Sequence, residues 1–301
     1  MNEPVTIDRA ALLHRHLEPR ALVSRLLTAG TWGLAVLACV PLVSVLWMLV
    51  TRGGARLDAE LFTALPPAAF EAGGGFGNAI AGTLVMVAIA ALLAIPLGIL
   101  AAVALAEIDP RSRLAEACRF SARTLTGLPS ILAGVFAYAL VVLTTGTYSA
   151  PAGGVALSLL MLPTVILTAE EAMAMVPEGM KLAAHGMGCT RTQVVWKIVL
   201  PAALPGVLTG VLLAVARASG ETAPLLFTAL FSEYWLASRY GVELMEPTAS
   251  LAVLIYNYAG MPFENQVDLA WAASLVLVAL ILLLNLASRA IGARFEFRRG
   301  R

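Results

Sequence analysis

The sequence predicts an all-α integral membrane protein with six transmembrane helices. Three observations carry that expectation. The 301-residue chain is 59% hydrophobic and 13% charged, about half the charge of an average soluble domain. Residues 26–51, 78–106 and 124–169 hold no charged side chain, and a helix crosses a bilayer with about 20 apolar residues. Lysine and arginine alternate between rich and poor segments, the pattern of a multi-pass protein. In lipid, unpaired backbone groups find no partner, so only helices or closed barrels cross. These runs are too long for the alternating strands of a barrel.

Each element follows from its own stretch. A cytoplasmic tail over 1–25 precedes a first span over 26–50. That block is longer than a signal-peptide core and has no small-residue cleavage site after it, so it is expected to stay. The second span covers 78–106. The cluster Gly73-Gly74-Gly75-x-Gly77 reads as a flexible entry to it, and no strand precedes it, which argues against a phosphate-cradling loop. The uncharged run 124–169 holds two passes, 123–145 and 153–175, with a tight turn between them around Gly146, Pro151 and Gly153-Gly154. The fifth and sixth spans cover 204–231 and 267–290, followed by a basic cytoplasmic tail over 291–301. The membrane domain is thus expected over 26–290. The intervening segments 51–77 and 232–266 have room for short surface helices.

Orientation follows from the basic residues. With both termini cytoplasmic, the inner segments hold 16 of them: Arg9, Arg15, Arg20, Arg25, Arg111, Arg113, Arg119, Arg123, Lys181, Arg191, Lys197, Arg289, Arg294, Arg298, Arg299 and Arg301. The outer segments hold 3, Arg52, Arg56 and Arg239. A net charge of +1 gives no sign of a nucleic-acid partner. Cys39, Cys118 and Cys189 are scattered and odd in number, which argues against a disulfide framework. His14, His16 and His185 lack metal-ligand spacing, and no nucleophile–base set is visible, so an enzyme is the least supported class. No G-x-x-x-x-G-K-[ST] motif occurs, so this chain supplies no Walker-type ATP site.

The loop over 177–201 is the most informative stretch. Pro177 is a favourable first residue for a helix over 178–187. Gly188 permits a sharp turn, Thr190 caps a second helix from Arg191 to Val199, and Pro201 is expected to end it. Val194, Val195 and Ile198 form an apolar face for a partner's groove, with Trp196 as anchor. Chemistry alone fits either this docking role or an interfacial helix without a partner. The order Ala183-Ala184, three residues, Gly188, nine residues, then Ile198-x-Leu200-Pro201 resembles the coupling loop of bacterial ABC importer permeases. The motif's leading glutamate is Leu182 here.

Further stretches resemble the phosphate-uptake (Pst) permease subunits of PstA type. These are Pro96-Leu97-Gly98, Gly127-Leu128-Pro129-Ser130-Ile131, Leu162-Pro163, Thr168-Ala169-Glu170-Glu171-Ala172 and Ala216-Arg217-Ala218-x-Gly220-Glu221-Thr222-Ala223-Pro224. Together they cover about residues 78–231. The resemblance implies the fold of a type I ABC importer permease in the bacterial inner membrane. It implies a second homologous permease (PstC type), two copies of an ATPase (PstB type) that carry the ATP and Mg, and an extracytoplasmic phosphate-binding protein (PstS type). Ala183, Ala184, Gly188, Arg191, Trp196, Ile198, Leu200 and Pro201 are then the ATPase-coupling residues.

Arg217 and Glu221 are the charges inside the fifth apolar block. An intramembrane arginine costs about 2.5–3.5 kcal/mol on insertion scales and marks a path or an internal partner. Its planar fork suits an oxyanion. Counted from Pro205, Arg217 lies about 18 Å along a helix, near mid-membrane. Two readings stay open for the pair: a substrate pathway with Ser219 and Thr222 as neutral hydrogen-bonding groups, or a structural i,i+4 ion pair. The leading expectation is the transmembrane subunit of an ATP-driven phosphate importer. Alternatives are the same machine for phosphonate, molybdate or sulfate, and an ion-coupled secondary transporter.

Overall fold

A computed structural model describes residues 19–238 and 241–297. It divides into two units, residues 1–51 and 52–301, and each is described by itself. The expected N-terminal tail lies outside the described residues over 1–18, as do Arg239 and the end of the C-terminal tail, 298–301.

The first unit contributes helix α1, Pro19–Met48, which takes in residues 19–25 of the expected tail. Its apolar residues run all round, with no polar stripe, which suits a span in lipid. A π-helical turn, Leu49–Gly53, carries the chain into the second unit.

The second unit begins with α2, Glu60–Thr63, and the glycine cluster. The expectation of a flexible entry is corrected here. A Cβ on Gly75 would lie 2.6 Å from the carbonyl oxygens of Glu60 and Leu61, and one on Gly77 would lie 2.3 Å from that of Phe62. The glycines let two backbone segments touch. Helix α3, Gly77–Val103, then ends in a π-helical turn, Ala104–Ile108.

The expected third span is broken. Helix α4, Arg113–Thr126, is amphipathic: it buries Ala115 and Ala122 and keeps Arg113, Glu116 and Arg123 exposed. Ser112 caps it, accepting from the Ala115 N–H at 3.1 Å. After Gly127–Pro129 the chain bends by 106° into α5, Ser130–Ala137, a π turn and α6, Leu143–Thr145. Pro129 disfavours helical geometry at Leu128, so residues 123–126 belong to α4 and the second piece of the bent pair starts at Ser130.

Helix α7, Ala150–Ala174, packs on α3 through Met86, Ala90 and Ala94 against Leu157, Met161 and Val165, all buried. Close approach rests on small residues, as in other membrane helix pairs: a Cβ on Gly98 would meet Val165 Cγ1 at 2.7 Å. Helix α8, Glu178–Gly186, and α9, Arg191–Val194, follow. A π turn over Val195–Val199 leads into α10, Leu200–Ser219. These last three form one run, Arg191–Ser219, so Pro201 does not stop the helix. Its ring would meet the Lys197 carbonyl in a regular α-helix, and the wider π turn relieves that clash.

The fifth span is displaced from the expected 204–231, because its helical run is Arg191–Ser219 and only a short helix, α11, Ala223–Leu226, follows. A two-residue antiparallel pair, β1 (Ala237–Ser238) with β2 (Gly241–Val242), matches Ala237 to Val242. Helix α12, Leu251–Ala259, was expected on the surface, but Leu251, Leu254 and Tyr258 are buried in a second core with Leu61, Phe76 and Leu269. Helix α13, Glu264–Phe297, closes the chain and includes residues 291–297 of the expected tail, a stretch without proline or glycine after Gly292. Among the described residues, five helices are long and apolar enough to cross a membrane, or six if the bent pair counts as one span.

Candidate functional site

The loop over 177–201 forms a helical hairpin. Pro177 precedes α8, and Gly188 adopts φ +85°, a left-handed conformation that costs an L-residue about 1–2 kcal/mol. Thr190 caps α9 as expected, and does so in a capping box: its hydroxyl accepts from Gln193 N–H at 3.4 Å, and the Gln193 side chain accepts from Thr190 N–H at 3.0 Å. His185 is exposed, its Nδ1 3.3 Å from the Cys189 carbonyl.

The expected docking face is corrected. Val194 and Val195 are buried in this chain's own core, and Ile198 and Leu200 pack against it. Val194 and Val195 are thus covered by their own chain, while Ile198 and Leu200 are covered only in part. Ala184 is buried as well. The apolar residues left exposed on the hairpin are Leu182 (63%), Met187 (77%) and Trp196 (52%), beside exposed Ala183 and Pro201. Trp196 is exposed, as an anchor would have to be, and so are Leu182 and Met187. Leu182, where the motif carries glutamate, is thus an exposed apolar side chain. Met180 and Met175 are exposed as well and line a separate groove with Pro177 and Pro205, whereas Met173 is core.

At the base of the hairpin is a set of charged contacts. Lys181 Nζ pairs with the Glu107 carboxylate at the end of α3. The Arg191 guanidinium donates to the carbonyls of Glu107 and, at 2.6 Å, Ile108. Arg119 on α4 donates to the Glu170 carboxylate on α7 at 2.5 Å, and to the carbonyls of Leu105 and Pro110, both at 2.8 Å. The cause is the helix terminus: the last carbonyls of α3 lack intrahelical partners and carry partial negative charge that favours cations. Sequence reasoning missed Glu107 and Arg119. The available signal was an acid closing the uncharged run 78–106, in a chain whose only lysines are Lys181 and Lys197.

The second candidate region lies where α10 breaks. Arg217 is in its last turn, Gly220 follows the last helical residue, and Glu221 N–H reaches back to the Ala218 carbonyl at 3.3 Å. The structure brings Arg217 and Glu221 together, Nε to Oε1 at 3.5 Å, with side-chain exposures of 44% and 17%. That is the edge of hydrogen-bonding range, so the guanidinium stays accessible while the carboxylate is mostly covered. Ser219 is not part of the group: it is buried, and its hydroxyl donates to the Val215 carbonyl at 2.8 Å. Thr222 is half-buried and its side chain does not cap α11. The break is held from the other side, where Gly134 of α5 sits so close to Pro224 that a Cβ would be 2.6 Å from its Cα.

Comparison with known proteins gives these features a context. Residues 94–301 match the family described as binding-protein-dependent transport system inner membrane component. The chain is 41% identical over 253 residues to the phosphate transport system permease protein PstA of Yersinia pestis, covering 84% of each chain. It is 42% identical to the protein of that name from Haemophilus influenzae, covering 81% of this chain and 85% of that one. In fold it resembles a chain of a bacterial ABC transporter involved in import of the acidic polysaccharide alginate. There the TM-score is 0.58 at 15% identity, over 94% of this chain and 99% of that one.

Proposed function

From the premise that this chain belongs to the binding-protein-dependent transport system inner membrane components, and among them to the PstA phosphate permeases, we propose that it is the multi-pass inner-membrane permease subunit of an ATP-driven importer that moves inorganic phosphate inward. The observation that carries this reading is the 41% identity over 84% of both chains, since it spans the coupling hairpin and the Arg217 region alike. An ion-coupled secondary transporter is set aside by family membership. Phosphonate, molybdate or sulfate as cargo is not favoured.

In this reading both termini are cytoplasmic, and a second, PstC-type permease completes the membrane pathway. Two PstB-type ATPase copies bind ATP and Mg and close on it. A PstS-type binding protein delivers phosphate from outside. The exposure of Leu182, Met187 and Trp196 supports docking of the hairpin on one ATPase. Closure then tilts the hairpin, and α10, continuous with it, carries the movement to the break at Ser219–Thr222. Arg217, accessible and loosely paired, offers a forked donor to a phosphate oxygen pair, and Glu221 holds the guanidinium until phosphate competes for it.

The test is radiolabelled phosphate uptake at low external phosphate, in cells lacking their own permease and given this chain with its partner subunits. Uptake that excess unlabelled phosphate suppresses and excess sulfate or molybdate does not is expected. Arg217→Ala abolishes it while the complex still assembles. Suppression by another oxyanion at equal concentration overturns the cargo assignment.

A further inference from the structure

The coupling hairpin is bound to α3 at two points, one on each of its arms. Lys181, on α8, pairs with the Glu107 carboxylate. Arg191, at the first turn of α9, holds the carbonyls of Glu107 and Ile108. Both arms therefore converge on two consecutive residues, 74 and 84 positions away in sequence from Lys181 and Arg191. The ion pair is largely shielded, with side-chain exposures of 22% and 10% for Lys181 and Glu107, so solvent screens it less than a surface pair. The helical run ends with the π turn over Ala104–Ile108, so the carbonyls of Glu107 and Ile108 lack intrahelical partners and accept from Arg191. Above this point α3 is locked to α7 by close approach, as at Gly98 and Val165.

We infer that Glu107 is a positioning residue for transport, the latch through which hairpin movement enters α3 as well as α10. This inference rests on the transport reading above. The motif's glutamate position is Leu182, so the fixed charge at this joint comes from α3 instead. With the latch closed, α3 and the hairpin move as one body. With it open, ATPase closure swings the hairpin through α10 alone, and hydrolysis proceeds with less cargo moved.

The test uses the complete complex in proteoliposomes, with ATP hydrolysis and phosphate entry measured on the same preparation. Glu107→Gln and Lys181→Met each lower the phosphate moved per ATP by about 5-fold or more, the lower end of a site-to-site coupling, while ATPase still co-purifies. The reversed pair, Glu107→Lys with Lys181→Glu, regains most of the ratio. A ratio unchanged in both single variants overturns the latch, as does a loss that reversal leaves in place. A second measurement needs no phosphate. Spin labels at Leu92 on α3 and Thr192 on the hairpin, with the three cysteines replaced by serine, report their separation before and after trapping with ATP. The separation stays constant in the intact complex and changes in Glu107→Gln; a change in the intact complex overturns the proposal. If the intact complex moves no phosphate, the cargo reading fails, and the label separation still decides the latch.

Discussion

Arg119 and Glu170, 51 residues apart in sequence, meet with Nε 2.5 Å from Oε1, and the same guanidinium satisfies the carbonyls of Leu105 and Pro110. One side chain thus joins α4, α7 and the end of α3. Removing it strands a partly buried carboxylate, the helix-end carbonyl of Leu105 and the turn carbonyl of Pro110. Arg119→Ala is expected to cost about 2 kcal/mol, in the range for hydrogen bonds to charged groups, seen as a lower melting midpoint of the purified complex. Arg119→Lys recovers less than half, because an ammonium lacks the planar fork that reaches three partners at once. Equal melting of the Ala and wild-type chains would remove Arg119 from the joint.

A second prediction concerns the contact between α7 and α10. A Cβ on Gly210 would lie 2.0 Å from Thr168 Oγ1 and 2.5 Å from its Cβ. The Thr168 hydroxyl donates to the Thr164 carbonyl at 2.7 Å, so it has no spare rotamer without losing that bond. Gly210→Ala must push the helices apart, at about 1–3 kcal/mol for overpacking. Thr168→Gly in the same chain restores the space. Melting of the single and double variants checks it: a double variant no more stable than Gly210→Ala alone contradicts the contact.

Tyr258 gives a prediction in pH. It is buried outside the long spans, and its hydroxyl donates to the Pro67 carbonyl at 3.2 Å. Burial, with Glu233 adding repulsion, raises the phenol from 10.0 to about 12. The unfolded chain loses this proton first, so between pH 10 and about 12 it binds fewer protons than the fold. Stability from this group is therefore complete below pH 10 and falls as pH rises through that window, by at most about 1.4 kcal/mol per unit. Tyr258→Phe removes that alkaline slope. At neutral pH it costs about 1 kcal/mol or less, because Gln266 also donates to the Pro67 carbonyl, at 3.2 Å. A variant with the wild-type alkaline slope would assign the titration elsewhere.

Much of the architecture was legible because run length and charge asymmetry are properties of the chain itself. The cap at Thr190 and the turn at Gly188 were also local, and both are present. The bend at Gly127-Leu128-Pro129 carried its own signal in Pro129, but the uncharged run masked it. Continuity through Pro201 was not legible, since a π turn has no residue signature strong enough to override proline. Val194 and Val195 show a different limit: periodicity says that a face is covered, and cannot say whether its own chain or a partner covers it. Glu107, Arg119 and Glu170 join segments remote in sequence, so their partners appear only after folding.

The last prediction follows from that reassigned face. Leu182, Met187 and Trp196 are exposed on the hairpin; if docking uses them, they are where an ATPase gains affinity, and Val194 and Val195 are where this chain gains stability. The two sets should therefore separate by measurement. Trp196→Ala is expected to weaken ATPase retention by about 2 kcal/mol, as a central aromatic anchor does, with little change in melting of the isolated membrane subunits. Val195→Ala is expected to lower that melting by roughly 1–2 kcal/mol, from lost methyl packing, with ATPase retention following only as far as the fold is lost. Met187→Ala should resemble Trp196→Ala in kind and be smaller, since methionine is flexible and loses more freedom on docking. Retention is read as the ATPase fraction co-purifying through dilution, and stability as the melting midpoint without ATPase. Should Val195→Ala release ATPase while melting normally, the buried face would be a docking face after all, exposed by a movement of the hairpin away from α7 and α10.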